Sequence, residues 1–264
     1  MTDYRLRQGG RIDRSKSLSF TFDGQRYAGY AGDTLASALL ANGVHFVGRS
    51  FKYHRPRGIV AAGAEEPNAL IQLGHGARTE PNLRATQIEL FDGLRAESQN
   101  RWPSLSFDVG ALNNALSKFF PAGFYYKTFM WPAALWMKYE YVIRHAAGLG
   151  KSPTERDPDT YDKTNAHCDV LIVGAGPSGL AAALAAAKSG ARVILCDEQA
   201  EMGGSLLNRH AEIDGKPGAD WVADSLETLA QYPNLRLLPR TTAFAYWDHN
   251  FVSLCEKVTD HLAD

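Results

Sequence analysis

Residues 168–204 read CDVLIVGAGPSGLAAALAAAKSGARVILCDEQAEMGG, and their order decides the fold of the C-terminal part of the chain. Asp169 to Val173 is a short apolar run, which predicts a fully buried parallel strand. GAGPSG follows, with glycines at 174, 176 and 179. An alanine-rich helix is expected next, with Gly190 in the position just past its end. A second strand, Val193 to Cys196, leads to the acidic pair Asp197 and Glu198.

Each residue type in this order has a physical use. Gly174 allows a tight turn out of the strand. Gly176 carries no side chain, so a pyrophosphate can lie against its backbone, and Gly179 lets the helix pack closely on the strand. Pro177 falls in the first helical turn, where its missing N–H costs nothing. The amides of that turn, from Gly176 through Ser178 and Gly179, point with the helix dipole at an anion site. Asp197, at the end of the second strand, is placed to accept adenosine ribose hydroxyls, with Glu198 beside it. A carboxylate there disfavours a 2′-phosphate, so NAD or FAD is expected rather than NADP. Further on, Gly203-Gly204 makes a small-residue loop where backbone approaches the dinucleotide.

Across the 264 residues the apolar fraction is 45%, the charged fraction 22% and the net charge −1, the figures of an ordinary globular protein with room for two domains. The near-zero charge gives no reason to expect a nucleic acid or an anionic membrane as partner. Three cysteines, at 168, 196 and 255, form neither a disulfide framework nor a metal-ligand pattern, and Cys168 and Cys196 read as small core residues in a reducing compartment. MTDYRLRQGG has no apolar run behind its arginines, so no signal peptide is expected. Thr128 to Met137 is too short to span a bilayer. The expected location is the cytoplasm.

At the N-terminus, residues 1–15 are polar and basic and read as a disordered arm or one lying on something else. Leu18 to Phe22 and Gln25 to Tyr30 are predicted strands around an Asp23-Gly24 turn. Asp33 is the expected N-cap of a helix with Leu35, Leu39 and Leu40 on one face and Gly43 at its end. Strands at Ala69–Leu73 and Ala85–Leu90, with a turn at Asp92-Gly93, complete the order of a β-grasp domain. Residues 92–110 otherwise read as loop.

FDGQRYAGYAGDTLASALLANGV resembles the start of the plant-ferredoxin-like domains of multisubunit amine and amino-acid oxidoreductases. In cluster-bearing relatives the segment after the helix supplies cysteines to a [2Fe–2S] centre. Here that segment, GRSFKYHRPRGIVAAGAEEPNALIQLG, contains no cysteine. The resemblance therefore implies a domain that kept the fold and lost the cluster, with a structural role. The same segment is basic (Arg49, Lys52, His54, Arg55, Arg57), with Phe51 and Tyr53 interleaved. Three readings stand: nucleic-acid contact, which the overall charge does not support; contact with a cofactor phosphate or an acidic partner subunit; and a solvated or internally paired loop. Glu65 and Glu66 are close enough in sequence to pair with these arginines.

From Phe119 to Tyr141, ten of twenty-three residues are aromatic. Core packing between two domains is the first reading, a subunit interface the second, and a flavin or heme box the least supported. Lys151 to His167 reads as an exposed linker. Ala219 to Tyr232 is an expected helix, Leu235 to Leu238 a strand, and Thr241 to Glu256 a hairpin around Asp248-His249-Asn250. The lone histidines 210, 249 and 261 offer no nucleophile–base or metal constellation, so catalytic and metal residues are assigned to none.

Taken together, KYHRPRG, the aromatic connector and GAGPSGLAAALAAAKSGARVILCDEQAEMGGSLL resemble the beginning of the α (large) subunits of heterotetrameric sarcosine oxidases. The resemblance implies an α/β chain: a degenerate ferredoxin-like β-grasp domain at 1–110, an aromatic-rich connector and linker at 111–166, and an incomplete Rossmann-type FAD/NAD-binding parallel-sheet domain at 167–264. It implies NAD at Gly174, Gly176, Gly179 and Asp197. In the complete complex it implies FAD and FMN, partner β, γ and δ subunits, and a tetrahydrofolate site in a part absent here. The reaction implied is oxidation of the N-methyl group of sarcosine, a small-molecule substrate, to glycine, hydrogen peroxide and formaldehyde or methylene-tetrahydrofolate. With only three candidate parallel strands, the chain is expected to be a truncated subunit, a fragment or a split gene product. Alone it should lack oxidase activity, bind NAD weakly if at all, and tend to associate. A subunit of an opine, proline or glycine (cyanide-forming) dehydrogenase, or a non-catalytic scaffold segment, remains an alternative.

Overall fold

The computed structural model describes residues 4–119, 123, 131–146 and 150–262. They divide into two compact units, one ending at Asp159 and the other running Thr160–Leu262.

The first unit is built on a five-stranded sheet with a helix packed against it. Strands β1 (Asp13–Phe22) and β2 (Gln25–Ala31) form an antiparallel hairpin. Asp23 (φ 49°) and Gly24 (φ 78°) make its turn, both left-handed as a two-residue hairpin with the right strand twist requires. Helix α1 (Leu35–Ala41) follows, then β3 (Leu70–Leu73), β4 (Glu80–Arg84) and β5 (Arg95–Ser98), in the order β2-β1-β5-β3-β4. The β1–β5 pairing is parallel and the other neighbours antiparallel. Phe20, Leu35, Leu39, Ile71 and Leu94 are the fully buried large side chains at its centre.

Several expectations for this unit need correction. Ala85–Leu90 is not a strand. Ala85, Thr86, Ile88 and Leu90 are buried, so the run is apolar, but its carbonyls serve the helix start: Leu35 N–H donates to the Ile88 carbonyl (2.8 Å) and Ala36 N–H to that of Ala85 (3.0 Å). Within 92–110 lies β5, where buried Ala96 and Ser98 alternate with exposed Arg95 and Glu97. Asp33 is not the N-cap. Thr34 is, in a capping box with Ser37, because the Asp33 carboxylate is engaged elsewhere.

That engagement corrects the reading of the arm. Arg5 Nη1 and Nη2 donate to the two Asp33 carboxylate oxygens at 3.0 and 2.8 Å. The Tyr4 ring meets His45 edge-on at 5.2 Å, and Tyr4 N–H donates to the Ala41 carbonyl. The segment is thus pinned to its own domain by a buried acid, which also accepts from Tyr30 N–H and Ser37 Oγ.

The basic loop is internally paired. Arg49 Nε lies 3.4 Å and His54 Nδ1 2.7 Å from the buried Asp108 carboxylate, while Lys52 and Arg55 both stand over the Tyr53 ring. Glu66, expected to pair with these arginines, gives its carboxylate to backbone amides instead.

The aromatic stretch is described only in part: residues 120–122 and 124–130 lie outside the described set. Of the rest, Phe119, Trp131 and Tyr141 are exposed, Trp131 at 83%. Helix α2 (Trp136–Ala146) closes the stretch. Residues 151–167 form no helix or strand and are exposed, and Asp159 pairs with Arg78 at 3.0 Å.

The second unit is a parallel sheet. Strands β6 (Val170–Val173), β7 (Val193–Cys196) and β8 (Leu235–Leu238) run in the order β8-β7-β6. Helix α3 (Pro177–Lys188) connects β6 to β7, and α4 (Gly218–Ala230) precedes β8. Leu180, Ala183, Leu195, Val222 and Leu229 form its core. Strand β6 is not fully buried: it is an edge, and Val173 at its end is 60% exposed. The expected hairpin is β9 (Thr241–Trp247) with β10 (Phe251–Glu256), turning through His249 and Asn250 at positive φ. Phe244, Tyr246 and Val252 of that hairpin line an apolar groove of about 390 Å³ with Val173. Among the described residues no helix is long and apolar enough to cross a membrane.

Removing Arg5 leaves a buried carboxylate short of its cation, which costs roughly 3–5 kcal/mol when a buried pair is broken from one side. Arg5→Ala should therefore lower the urea midpoint of the first unit substantially, whereas the exposed control Lys16→Ala should leave it in place.

Candidate functional site

Strand β6 ends where its last amides are still committed to β7, and the chain must turn at once. Gly174 does so at φ 95°, its N–H donating to the Cys196 carbonyl at 2.8 Å. Gly176 is the N-cap of α3, in extended geometry, and Pro177 occupies the first helical position. Leu180 N–H closes the first turn on the Gly176 carbonyl at 2.9 Å. The first-turn amides beyond that have no partner within the helix, and the dipole adds partial positive charge there.

The three motif glycines are not equivalent. A Cβ on Gly179 would overlap the carbonyl oxygen of Gly174, so helix and strand touch backbone to backbone at that point. A Cβ on Gly176 would meet nothing within 4 Å. Its missing side chain thus leaves the backbone in front of the helix start uncovered, while the fold itself does not demand glycine there.

Asp197 is 9% exposed and turned toward the same loop. One carboxylate oxygen accepts from Ala175 N–H at 2.6 Å and the other from Gln199 N–H at 2.8 Å. Its own N–H donates to the Leu238 carbonyl (3.0 Å), and its carbonyl accepts from Thr241 N–H (2.7 Å). Each carboxylate oxygen keeps acceptor capacity after one hydrogen bond. Glu198 follows, half-buried.

A second loop closes over the first. Gly203 (φ 137°) donates its N–H to the Ala175 carbonyl at 2.8 Å, and a Cβ on Gly204 (φ 54°) would stand 2.9 Å from the Gly176 Cα. Buried Met202 and Leu206 anchor this loop in the core. Gly174, Gly176, Pro177, Gly179, Asp197, Gly203 and Gly204 therefore lie in adjoining loops around the α3 start, with Ser178 exposed in the first helical turn. The residue that sequence reasoning passed over is Ala175. Fully buried, it offers its N–H to Asp197 and its carbonyl to Gly203, and so ties both loops to the end of β7. Nothing in an alanine between two glycines signals this.

Beneath the site, burial and then the Asp197 charge push the Cys196 thiol above its ordinary range, which keeps it protonated and unreactive at neutral pH. At the other end of the strand pair, Arg192 beside Asp169 lowers that carboxyl to about 2. Among the described residues no group of three His, Cys, Asp or Glu side chains is placed to hold a metal ion. The residues present fit the diphosphate and adenosine end of a dinucleotide: an uncovered glycine backbone, a helix start and a carboxylate at the second strand end.

Residues 169–224 match the family of FAD dependent oxidoreductases, and residues 15–101 match a 2Fe-2S iron-sulfur cluster binding domain. The whole chain is 61% identical to the sarcosine oxidase subunit alpha of Rhizobium meliloti (strain 1021), of which it covers 27%. It is 38% identical, over 96% of its length, to the sarcosine oxidase subunit alpha of Corynebacterium sp. (strain U-96), covering 22% of that protein. The chain thus spans about a quarter of the length of these relatives. In fold it is similar to the crystal structure of L-proline dehydrogenase from P. horikoshii, with a TM-score of 0.54 at 18% identity, over 92% of this chain and 37% of that one.

Two substitutions separate architecture from recognition. Gly179→Ala should cost ~1–3 kcal/mol by pushing α3 off β6. Asp197→Ala should cost a similar ~1–3 kcal/mol for each buried amide left without an acceptor. Chemical denaturation of the second unit measures both, and the two costs should not add, because Asp197 holds Ala175 and Gly179 packs on Gly174, neighbours in one loop.

Proposed function

We propose that this chain, a relative over its whole length of the sarcosine oxidase alpha subunits and corresponding to an N-terminal portion of them, supplies the adenine-dinucleotide cradle and subunit contacts of a flavin-dependent amine oxidoreductase complex. The observation that carries the reading is the convergence of an uncovered Gly176 backbone, the α3 start and the Asp197 carboxylate on one surface. The dinucleotide is NAD. Gly174, Gly176, Pro177, Ser178 and Gly179 hold its diphosphate, Asp197 with Glu198 takes the adenosine ribose, and Gly203 and Gly204 line the far side. When bound, NAD supplies a hydride-accepting nicotinamide ring; the residues of this chain hold and orient its other end.

The complex oxidises the N-methyl group of sarcosine to give glycine, hydrogen peroxide and formaldehyde or methylene-tetrahydrofolate. FAD, FMN and tetrahydrofolate belong to other parts of it, as do the β, γ and δ subunits, and it works in the cytoplasm. This chain contributes no catalytic residue. Its segments are the scaffold unit at 1–110, the connector at 111–166 and the dinucleotide unit at 167–264. The exposed aromatics Phe119, Trp131 and Tyr141 favour the connector as a contact for a partner subunit, since such side chains concentrate at interface centres.

In the complete complex, Gly176→Val should weaken NAD binding at least 100-fold by calorimetry. The melting temperature should stay within about 4 °C of the parent, because the site in front of Gly176 is open. Unchanged affinity would remove NAD from this site. The isolated chain incubated with sarcosine should release no hydrogen peroxide; measurable production would show catalytic groups in this portion.

A further inference from the structure

The first unit matches a domain family named for a [2Fe–2S] cluster, and its residues do not fit one. Such a cluster is held by thiolates, with imidazoles replacing some of them in one variant. None of the three cysteines, at 168, 196 and 255, lies within the matched residues 15–101. Near the end of the segment between α1 and β3, four residues before the strand, stands a buried carboxylate. Glu66 is 1% exposed, and its two oxygens accept four backbone hydrogen bonds. Oε2 takes the amides of Val60 (2.8 Å) and Ala61 (2.7 Å), and Oε1 those of Asn68 (2.7 Å) and Ala69 (3.2 Å). The two pairs of donors come from the two sides of the loop, so a single side chain closes residues 60–69 on itself.

The surroundings hold the loop in the same sense. Glu66 N–H donates to the Gly63 carbonyl at 3.1 Å, and that carbonyl also accepts from Thr86 Oγ1 at 2.8 Å, itself 1% exposed. Arg84 Nε donates to the Glu66 backbone carbonyl at 3.1 Å. None of residues 60, 61, 68 and 69 lies in a helix or strand. Without Glu66 their amides would have to find water or remain unpaired, at ~1–3 kcal/mol for each one left buried. Burial opposes the charge on Glu66, but the four amides outweigh it and lower its pKa, so the group is anionic at neutral pH.

We propose that the Glu66 carboxylate is the internal anion around which residues 58–69 fold, standing in the amide-lined position that a cluster-bearing domain gives to its iron and sulfide. A cluster both shapes its loop and accepts an electron. Glu66 can do only the first, so this unit is a shaped, redox-silent surface, and electrons moving through the assembled enzyme pass elsewhere.

The test is amide hydrogen exchange on the full chain, read per residue or per short peptide. In the parent, residues 60, 61, 68 and 69 should exchange at least 100-fold more slowly than the exposed linker 151–167, although they sit in a loop. Glu66→Gln keeps the size but replaces one acceptor oxygen by a donor. It should raise exchange at these positions at least 10-fold while the β1–β2 hairpin, 13–31, stays protected. The exposed neighbour variant Glu65→Gln should change nothing. Fast exchange at the four amides in the parent, or unchanged protection in Glu66→Gln, would overturn the proposal without the variant having to be stable. Anaerobic incubation of the parent with iron and sulfide should leave no bound iron. A reduced [2Fe–2S] paramagnetic signal from it would overturn the proposal as well.

Discussion

The Asp197 carboxylate organises the second unit. A buried carboxylate needs donors, and the fold gives it two backbone amides from opposite sides, Ala175 and Gln199. Through Ala175 it fixes the glycine loop, and through the Ala175 carbonyl it fixes Gly203 and the loop behind it. Through its own backbone it joins β8 and the start of β9. The contact of Gly179 with the Gly174 carbonyl then sets how close α3 lies on the sheet. Remove the acid and three separate turns lose their common reference; remove the glycine and the helix start no longer faces the same space. The dinucleotide reading depends on both, because an anion site made of backbone is only as good as the placement of that backbone.

The first unit solves a related problem with three buried acids, each given a different kind of partner. Asp33 takes a guanidinium from the N-terminal segment, Asp108 a guanidinium and an imidazole from the basic loop, and Glu66 only backbone amides. A buried charge is costly unless it is fully answered. All three are answered within the unit, and Asp108 answers Arg49 and His54 of the basic loop. The acids in turn fix segments that have no regular structure of their own.

Much of this was legible in the sequence, for reasons that differ by element. The strand–glycine–helix–strand order of 169–197 is written in local residue types, so β6, α3 and β7 fall where the pattern puts them. The hairpin turns at Asp23-Gly24 and His249-Asn250 are legible because few residues accept positive φ. The run 85–90 misleads, because apolar residues in a buried loop alternate no differently from those in a strand, and only the α1 amides distinguish them. The tether from Arg5 to Asp33 spans 28 positions, and no local pattern carries it. The same holds for Glu66, where charge and proximity pointed to arginines while the folded loop offered amides.

The two hydrophobic clusters, one about Leu39 and Ile71 and the other about Leu180 and Leu195, share no side chain. A chain arranged this way has two ledgers of stability. Changes that remodel the chemistry of one half are invisible to the packing of the other. A lineage built on it is free to change the core of one half while the core of the other keeps its own side chains.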